Sequence, residues 1–220
     1  MQCIKDTIKN INIVIGCSIG CSYCYARMNN NRFHTIDDFN KPVFFENKLK
    51  MLDNKRHTAY LLTGQSDLSG WNEEWKDKVF SKMKENENTQ YIFLTKRPEN
   101  IKLKETPDNG WFGVTVTSSK EKTRIDYLRN NIKAKHYHIT FEPMFDDVGK
   151  LDLSNISWIV IGTETGNRKG KISSKREWVF NIYNQAKEKN IPVFMKEDLL
   201  GILNEDEFVQ EFPKEFGGIK

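Results

Sequence analysis

Short apolar, β-branched and aromatic runs recur along the 220-residue chain: "INIVI" 11–15, "AYLLT" 59–63, "YIFLT" 91–95, "WFGVTV" 111–116, "YHITF" 137–141, "WIVIG" 158–162 and "PVFM" 192–195. A strand that is apolar at nearly every position has both faces covered, which is the habit of parallel sheets. Segments of helical periodicity lie between several of these runs. In 71–84, Trp71, Trp75, Val79 and Met83 fall four apart on one stripe. Ser118 with Glu121, and Ser174 with Glu177, have the spacing of a capping box, in which hydroxyl and carboxylate satisfy each other's free backbone N–H groups. The second box is followed by a stripe of Trp178, Ile182 and Ala186, and Pro192 stops it. Asn204 is placed to cap a short helix around Phe208, and 43–53, with Phe45, Leu49 and Leu52, reads as helix rather than loop. The connection 142–157 carries no helical pattern. Alternation of strand and helix predicts an α/β fold with parallel strands joined by right-handed crossovers, either a barrel or an open doubly wound sheet. The length suits one domain, 1–220, with fraying expected before Ile11 and after Phe212.

In such folds the loops leaving the carboxyl ends of the strands form the active face. The residues this gathers are Cys17, then Gly64, Gln65, Ser66 and Asp67, then Thr95, Lys96 and Arg97. Later strands add Thr115 and Thr117, Glu142, Thr163 and Glu164, and Lys196 with Glu197. Each also has a plain reading as a solvated strand end or a neighbour's ion-pair partner. No apolar stretch approaches the roughly twenty residues that span a bilayer, and "MQCIKDTIKN" lacks the apolar core of a signal peptide, so a cytoplasmic protein with no membrane contact is expected. A net charge of +4 permits an anionic substrate without the strong basic bias of a dedicated nucleic-acid binder.

Three of the four cysteines, Cys17, Cys21 and Cys24, fall within "GCSIGCSYCYAR", residues 16–27. In a reducing compartment they remain thiols available to a metal. Three thiolates on a tight loop can hold three corners of an iron–sulfur cluster and leave the fourth iron without a protein ligand. Two other arrangements compete. Structural zinc needs a fourth ligand, and the nearest candidate, His34, stands ten residues after Cys24, outside the usual spacing. A closed cluster needs Cys3, which precedes the first strand and is expected about 15 Å from Cys17 along an extended strand 11–15 unless the N-terminal arm folds back.

The C-x3-C-x2-C spacing, with Tyr23 just before the last cysteine and the first strand just before the motif, resembles the signature of radical S-adenosylmethionine enzymes. Further segments, "LLTGQSDLSGW", "FLTKRPE", "WFGVTVTS", "HYHITFEPMFDD", "WIVIGTETG" and "IPVFMKEDL", resemble the radical SAM mobile pair protein B family and, more loosely, a phage-associated family; the likeness covers nearly the whole chain. It implies an open, partial TIM barrel of the (β/α)6 radical SAM type. It also implies a 4Fe-4S cluster on Cys17, Cys21 and Cys24 whose free iron is chelated by S-adenosyl-L-methionine. Reductive cleavage would then give a 5′-deoxyadenosyl radical that abstracts hydrogen from a substrate the likeness does not identify. An external electron donor and a second radical SAM protein are the partners implied.

Matching positions carry roles over. Gly64, Gln65 and Ser66 stand where relatives place a Gly-Gly-Glu stretch that binds the methionyl amino group, without the usual acid. Lys96 or Arg97 would take the methionyl carboxylate, Thr115 and Thr117 the ribose hydroxyls, and Tyr23 a place near adenine. Glu142 would join the cofactor-binding residues. Asp67, Arg97, Glu142, Glu164, Arg168 and Lys196 would line a mouth of mixed charge, with "GTETG" 162–166 as a glycine-containing approach loop. The basic stretch "NRKGKISSKR", 167–176, is either a phosphate contact, favouring nucleic acid or a nucleotide, or a solvated loop. An iron–sulfur electron carrier or accessory subunit, and a zinc-dependent nucleic-acid module, stay open as other classes of function.

Overall fold

In a computed structural model, residues 2–53 and 58–217 are described. Seven parallel strands form one open, curled sheet: β1 Ile8–Asn10, β4 Ala59–Leu61, β5 Gln90–Thr95, β6 Gly110–Thr115, β7 His136–Phe141, β8 Ile156–Ile161 and β9 Val193–Met195, neighbours in that order. β1 and β9 are its two edges. A separate antiparallel pair joins β2, Val14–Ile15, to β3, Val43–Phe44. The helices are the single turn α1 Ile4–Thr7, then α2 Tyr25–Phe33, α3 Glu73–Lys84, α4 Thr123–Asn131 and α5 Arg176–Glu188. No helix among the described residues is long and apolar enough to cross a membrane.

The period of two along each strand sorts side chains to two faces. One face, with Tyr60, Phe93, Val114, Ile139 and Ile161, packs beneath Val79 and Met83 of α3, Leu128 of α4 and Ile182 of α5. The other is concave, where Ile8, Ala59, Ile92, Trp111, Trp158 and Phe194 meet the ring of Phe216. The expectation of fraying after Phe212 is therefore corrected. Phe216 is fully buried, edge-on to Trp111 at 4.8 Å and to Trp158 at 5.2 Å, and Phe212 lies 4.7 Å from Phe194. A curled sheet has a hollow to fill, and the C-terminal rings fill its amino end.

The N-terminal expectation is corrected as well. The edge strand is Ile8–Asn10, paired in register with Ala59–Leu61, not the more apolar run 11–15. That run is buried throughout its apolar positions, yet after Ile11, whose N–H donates to Leu61 at 3.0 Å, the chain leaves the sheet to pair with β3. Residues before β1 reach across to the opposite edge: Gln210 Nε2 donates to Gln2 and to Met195, and Cys3 Sγ donates to Glu197 at 3.0 Å. The arm folds back, so Cys3 lies just past β9 rather than at the far end of the strand.

Neither predicted box before α4 or α5 forms. Glu121 instead accepts from Thr117, and Ser174 Oγ donates to Met144. Before Phe208, Glu207 does accept from the Asn204 N–H at 2.9 Å. Segment 46–53 is a 3-10 helix, and no helix joins β7 to β8.

Mid-strand on the concave face, Gly113 of β6 faces His138 of β7. A Cβ on Gly113 would sit 2.3 Å from His138 Nε2, so only glycine leaves room for the ring to cross β6 and reach the Phe93 carbonyl of β5 at 3.0 Å. Complete burial pushes the His138 pKa down to about 4, and the bond to Phe93 only partly offsets this. The unfolded chain takes up this proton near pH 6.5 while the native state refuses it, so His138 costs nothing above that pH and destabilises progressively as pH falls toward 4. Its contribution approaches about 1.4 kcal/mol per pH unit across that window. Urea midpoints at pH 7 and pH 5 should therefore drop less in His138→Gln than in the parent; equal drops would refute the assignment.

Candidate functional site

The cysteine loop sits at the carboxyl mouth of the sheet because two backbone bonds pin its start. Gly16 N–H donates to Gln65 just past β4 at 2.9 Å, and Cys17 N–H donates to Phe39 at 2.7 Å. Gly16 has φ +115, and a Cβ there would lie 2.8 Å from the Pro42 Cα, so the close approach of 36–42 requires glycine. The Arg27 guanidinium holds the loop from the other side, donating to the Cys17 carbonyl at 2.7 Å while it stacks over Phe39 at 5.0 Å.

Cys24 is the N-cap of α2, its Sγ accepting from Arg27 N–H at 3.4 Å. Sγ of Cys17 accepts from Ile19 N–H at 3.5 Å. All three thiols are free and half-buried. Burial pushes the Cys17 thiol up to about 11, with smaller contributions from Asp67, Cys21 and Cys24. Among the described residues no three His, Cys, Asp or Glu side chains converge as a metal site. The donor set fits an iron–sulfur cluster in kind: three soft sulfurs on one loop, two already receiving the backbone N–H bonds that tune such clusters. A bound metal deprotonates a coordinating thiol outright, which answers the high Cys17 value.

Facing this loop is a polar floor. Lys196 pairs with Glu142 and, at 3.2 Å, with Asp198; Asp198 also accepts from Thr163 N–H at 3.0 Å. Desolvation works against the Lys196 charge, but the two carboxylates outweigh it and hold its pKa above the ordinary range. Desolvation also raises the Asp198 pKa. Gly162 makes the room: a Cβ there would lie 3.1 to 3.2 Å from Lys196, Asp198 and Glu142. Tyr25 closes one side, its hydroxyl donating to the Gly64 carbonyl at 2.5 Å, with a pKa raised by burial and then by Glu142. Tyr23 stacks edge-on to Phe145 at 5.4 Å beneath Lys96, whose Nζ is 5.8 Å from the Tyr23 ring and 3.4 Å from Thr115 Oγ1.

A family model described as "Protein of unknown function (DUF5131)" matches residues 2–217. The chain belongs to the DUF5131 family. No match was found among curated proteins or among solved structures.

In this DUF5131 protein Cys17, Tyr23, Gly64, Lys96, Thr115 and Glu142, named from the sequence, meet at the mouth. Others are engaged in local structure. Thr117 gives its hydroxyl to Glu121 at 2.6 Å, and Ser66 Oγ accepts from Trp71 Nε1 at 3.0 Å. Gln65 contributes its carbonyl to Gly16. Asp67 is buried and accepts from Ser69, Thr95 and Lys96 N–H, which fixes the end of β5 and places Lys96, so it is a positioning residue. Arg97 is exposed. The sequence reading missed Tyr25 and Asp198, whose only sequence signals were adjacency to Cys24 and to Lys196.

Proposed function

We propose that this DUF5131 protein is a radical S-adenosylmethionine enzyme acting on a substrate presented at the sheet's carboxyl mouth. The observation that carries the reading is the placement of three free thiols on one pinned loop at that mouth, opposite a polar floor. Cys17, Cys21 and Cys24 would hold a 4Fe-4S cluster. Such a cluster supplies the electron that cleaves S-adenosyl-L-methionine reductively, fed by an external donor.

The chain's own residues account for binding. Gly64 lets its backbone sit against the Asn12 and Asn10 side chains, which a Cβ would meet at 3.0 and 3.2 Å, and Tyr25 holds its carbonyl in place at the mouth. Lys96 offers a cation for the methionyl carboxylate and Thr115 a hydroxyl for ribose. Glu142, paired with Lys196, offers an acceptor for a cofactor or substrate donor. The open, curled sheet is compatible with the partial (β/α)6 barrel of this class, extended here by β9. A second radical SAM protein remains the partner proposed from the family likeness.

Anaerobic reconstitution with iron and sulfide tests the reading. The expected result is a four-iron chromophore and, on reduction, release of 5′-deoxyadenosine from S-adenosyl-L-methionine. A chromophore with the cofactor left intact would sink the enzyme reading and favour an electron carrier. Zinc uptake without iron–sulfur absorbance would sink both.

A further inference from the structure

We propose that the cleft between 163–173 and 198–202, beside the mouth, binds a phosphate group of the substrate. With the mouth taken as the reaction site, as proposed above, this names the substrate's chemistry: a phosphate ester, either a nucleotide or a nucleic-acid strand.

The cleft has a volume of about 400 Å3 and is lined by Glu164, Asn167, Lys171, Ser173 and Asp198 among others. That is within the size of small-ligand sites, with room for a phosphate and part of its ester. Its two carboxylates are already matched. Glu164, 3% exposed, takes Arg168 through Nε at 2.5 Å and Nη2 at 2.8 Å. Asp198 takes Lys196 and the Thr163 N–H. Lys171 is left as the cation in the lining: its Nζ donates to the Gly166 carbonyl at 3.4 Å and adds only the smallest of the pulls on Glu164, whose bond partner is Arg168. Lys169 beside it is exposed.

The segment 165–176 holds five basic residues and no acid; Arg168, Lys175 and Arg176 pair with Glu164, Glu177 and Glu207 outside it, which leaves Lys169 and Lys171 without an ion pair closer than 4.0 Å among the described residues. Its frame is fixed at both ends: Arg168 is locked to Glu164, and Ser174 bonds Thr163 Oγ1 at 3.0 Å and the Met144 carbonyl at 3.1 Å. The lysines therefore project from an anchored loop. The nearest guanidinium is committed to Glu164, which removes the planar fork that best recognises a carboxylate. Point-charge ammonium groups beside Asn167, Thr165 and Ser173 suit a compact, highly charged phosphate instead.

The test is binding of fluorescein-labelled oligothymidylate to the full chain by anisotropy across a salt series, with thymidine 5′-monophosphate and inorganic phosphate as competitors. The variant Lys169→Ala/Lys171→Ala changes exposed side chains only. Lys187→Ala/Lys189→Ala removes equal charge at the C-terminal end of α5, away from the mouth. The first is expected to weaken strand binding at least tenfold and to lower the slope of log K against log salt by about 1.4, two phosphate contacts at about 0.7 each. The second should leave both nearly unchanged. Competition by the mononucleotide at concentrations where inorganic phosphate fails would identify a single nucleotide as the ligand; strand binding resistant to both would identify the polymer. No binding of any probe, or equal losses in the two variants, would overturn the proposal. Because the assay needs no cofactor turnover, its failure alongside intact 5′-deoxyadenosine release would reject the phosphate cleft alone. The reverse result would reject the radical chemistry alone.

Discussion

Cys21→Ala should abolish the iron–sulfur chromophore and 5′-deoxyadenosine release together, bringing both to the level of a protein-free control. The three sulfurs form a minimal set. With one removed, two remain for a cluster that needs at least three protein ligands at an open-site centre, and the fourth cysteine, Cys3, is engaged with Glu197. Cys21 is half-buried on a loop whose pins are Gly16, Cys17 and Arg27, so the apo fold should lose less than about 1 kcal/mol, as for ordinary surface-loop substitutions. Cys3→Ala serves as the matched control and should retain chromophore and cleavage. Thermal melts of the apo proteins separate lost chemistry from lost structure. Cleavage surviving in Cys21→Ala would contradict the ligand assignment.

Gly113→Ala should be the most damaging single methyl in the sheet. The added carbon would fall 2.3 to 2.5 Å from three ring atoms of His138, which is only 1% exposed. Displacing the ring breaks its bond to Phe93 and overpacks the concave core, a cost of about 3 kcal/mol. For a chain of this length that corresponds to a drop in Tm of about 6 to 12 °C. A double-mutant cycle with His138→Ala isolates the cause. Once the ring is gone, Gly113→Ala should cost under about 0.5 kcal/mol, the coupling expected of residues in direct contact. Additive losses would show that Gly113 is required for another reason.

The α/β class was legible because burial on both faces leaves a continuous apolar signature, and six of the seven apolar runs coincide with sheet strands. The first did not. Apolarity reports burial, and "INIVI" is buried, but hydrogen-bond partners are chosen by what lies alongside, and Ile8–Asn10 met β4 first. Capping-box spacing failed before α5 for a related reason: Ser174 found a tertiary partner in Met144, and a local bond lost to a distant one. Tyr25 and Asp198 escaped notice because each gains its place at the mouth from a partner distant in the chain, Gly64 for Tyr25 and Thr163 for Asp198.

By itself, the order of residues determined which segments are buried, that strands and helices alternate, and that three thiols share one short loop, since each follows from local composition and spacing. Only the tertiary structure decided that Thr117, Ser66 and Asp67 serve the scaffold while Asp198 and Tyr25 join Lys196 at the mouth. Hydroxyls and carboxylates look alike along a chain; what they touch depends on strand twist, on which edge the N-terminal arm crosses to, and on the glycines at 16, 113 and 162 that let neighbouring groups come close.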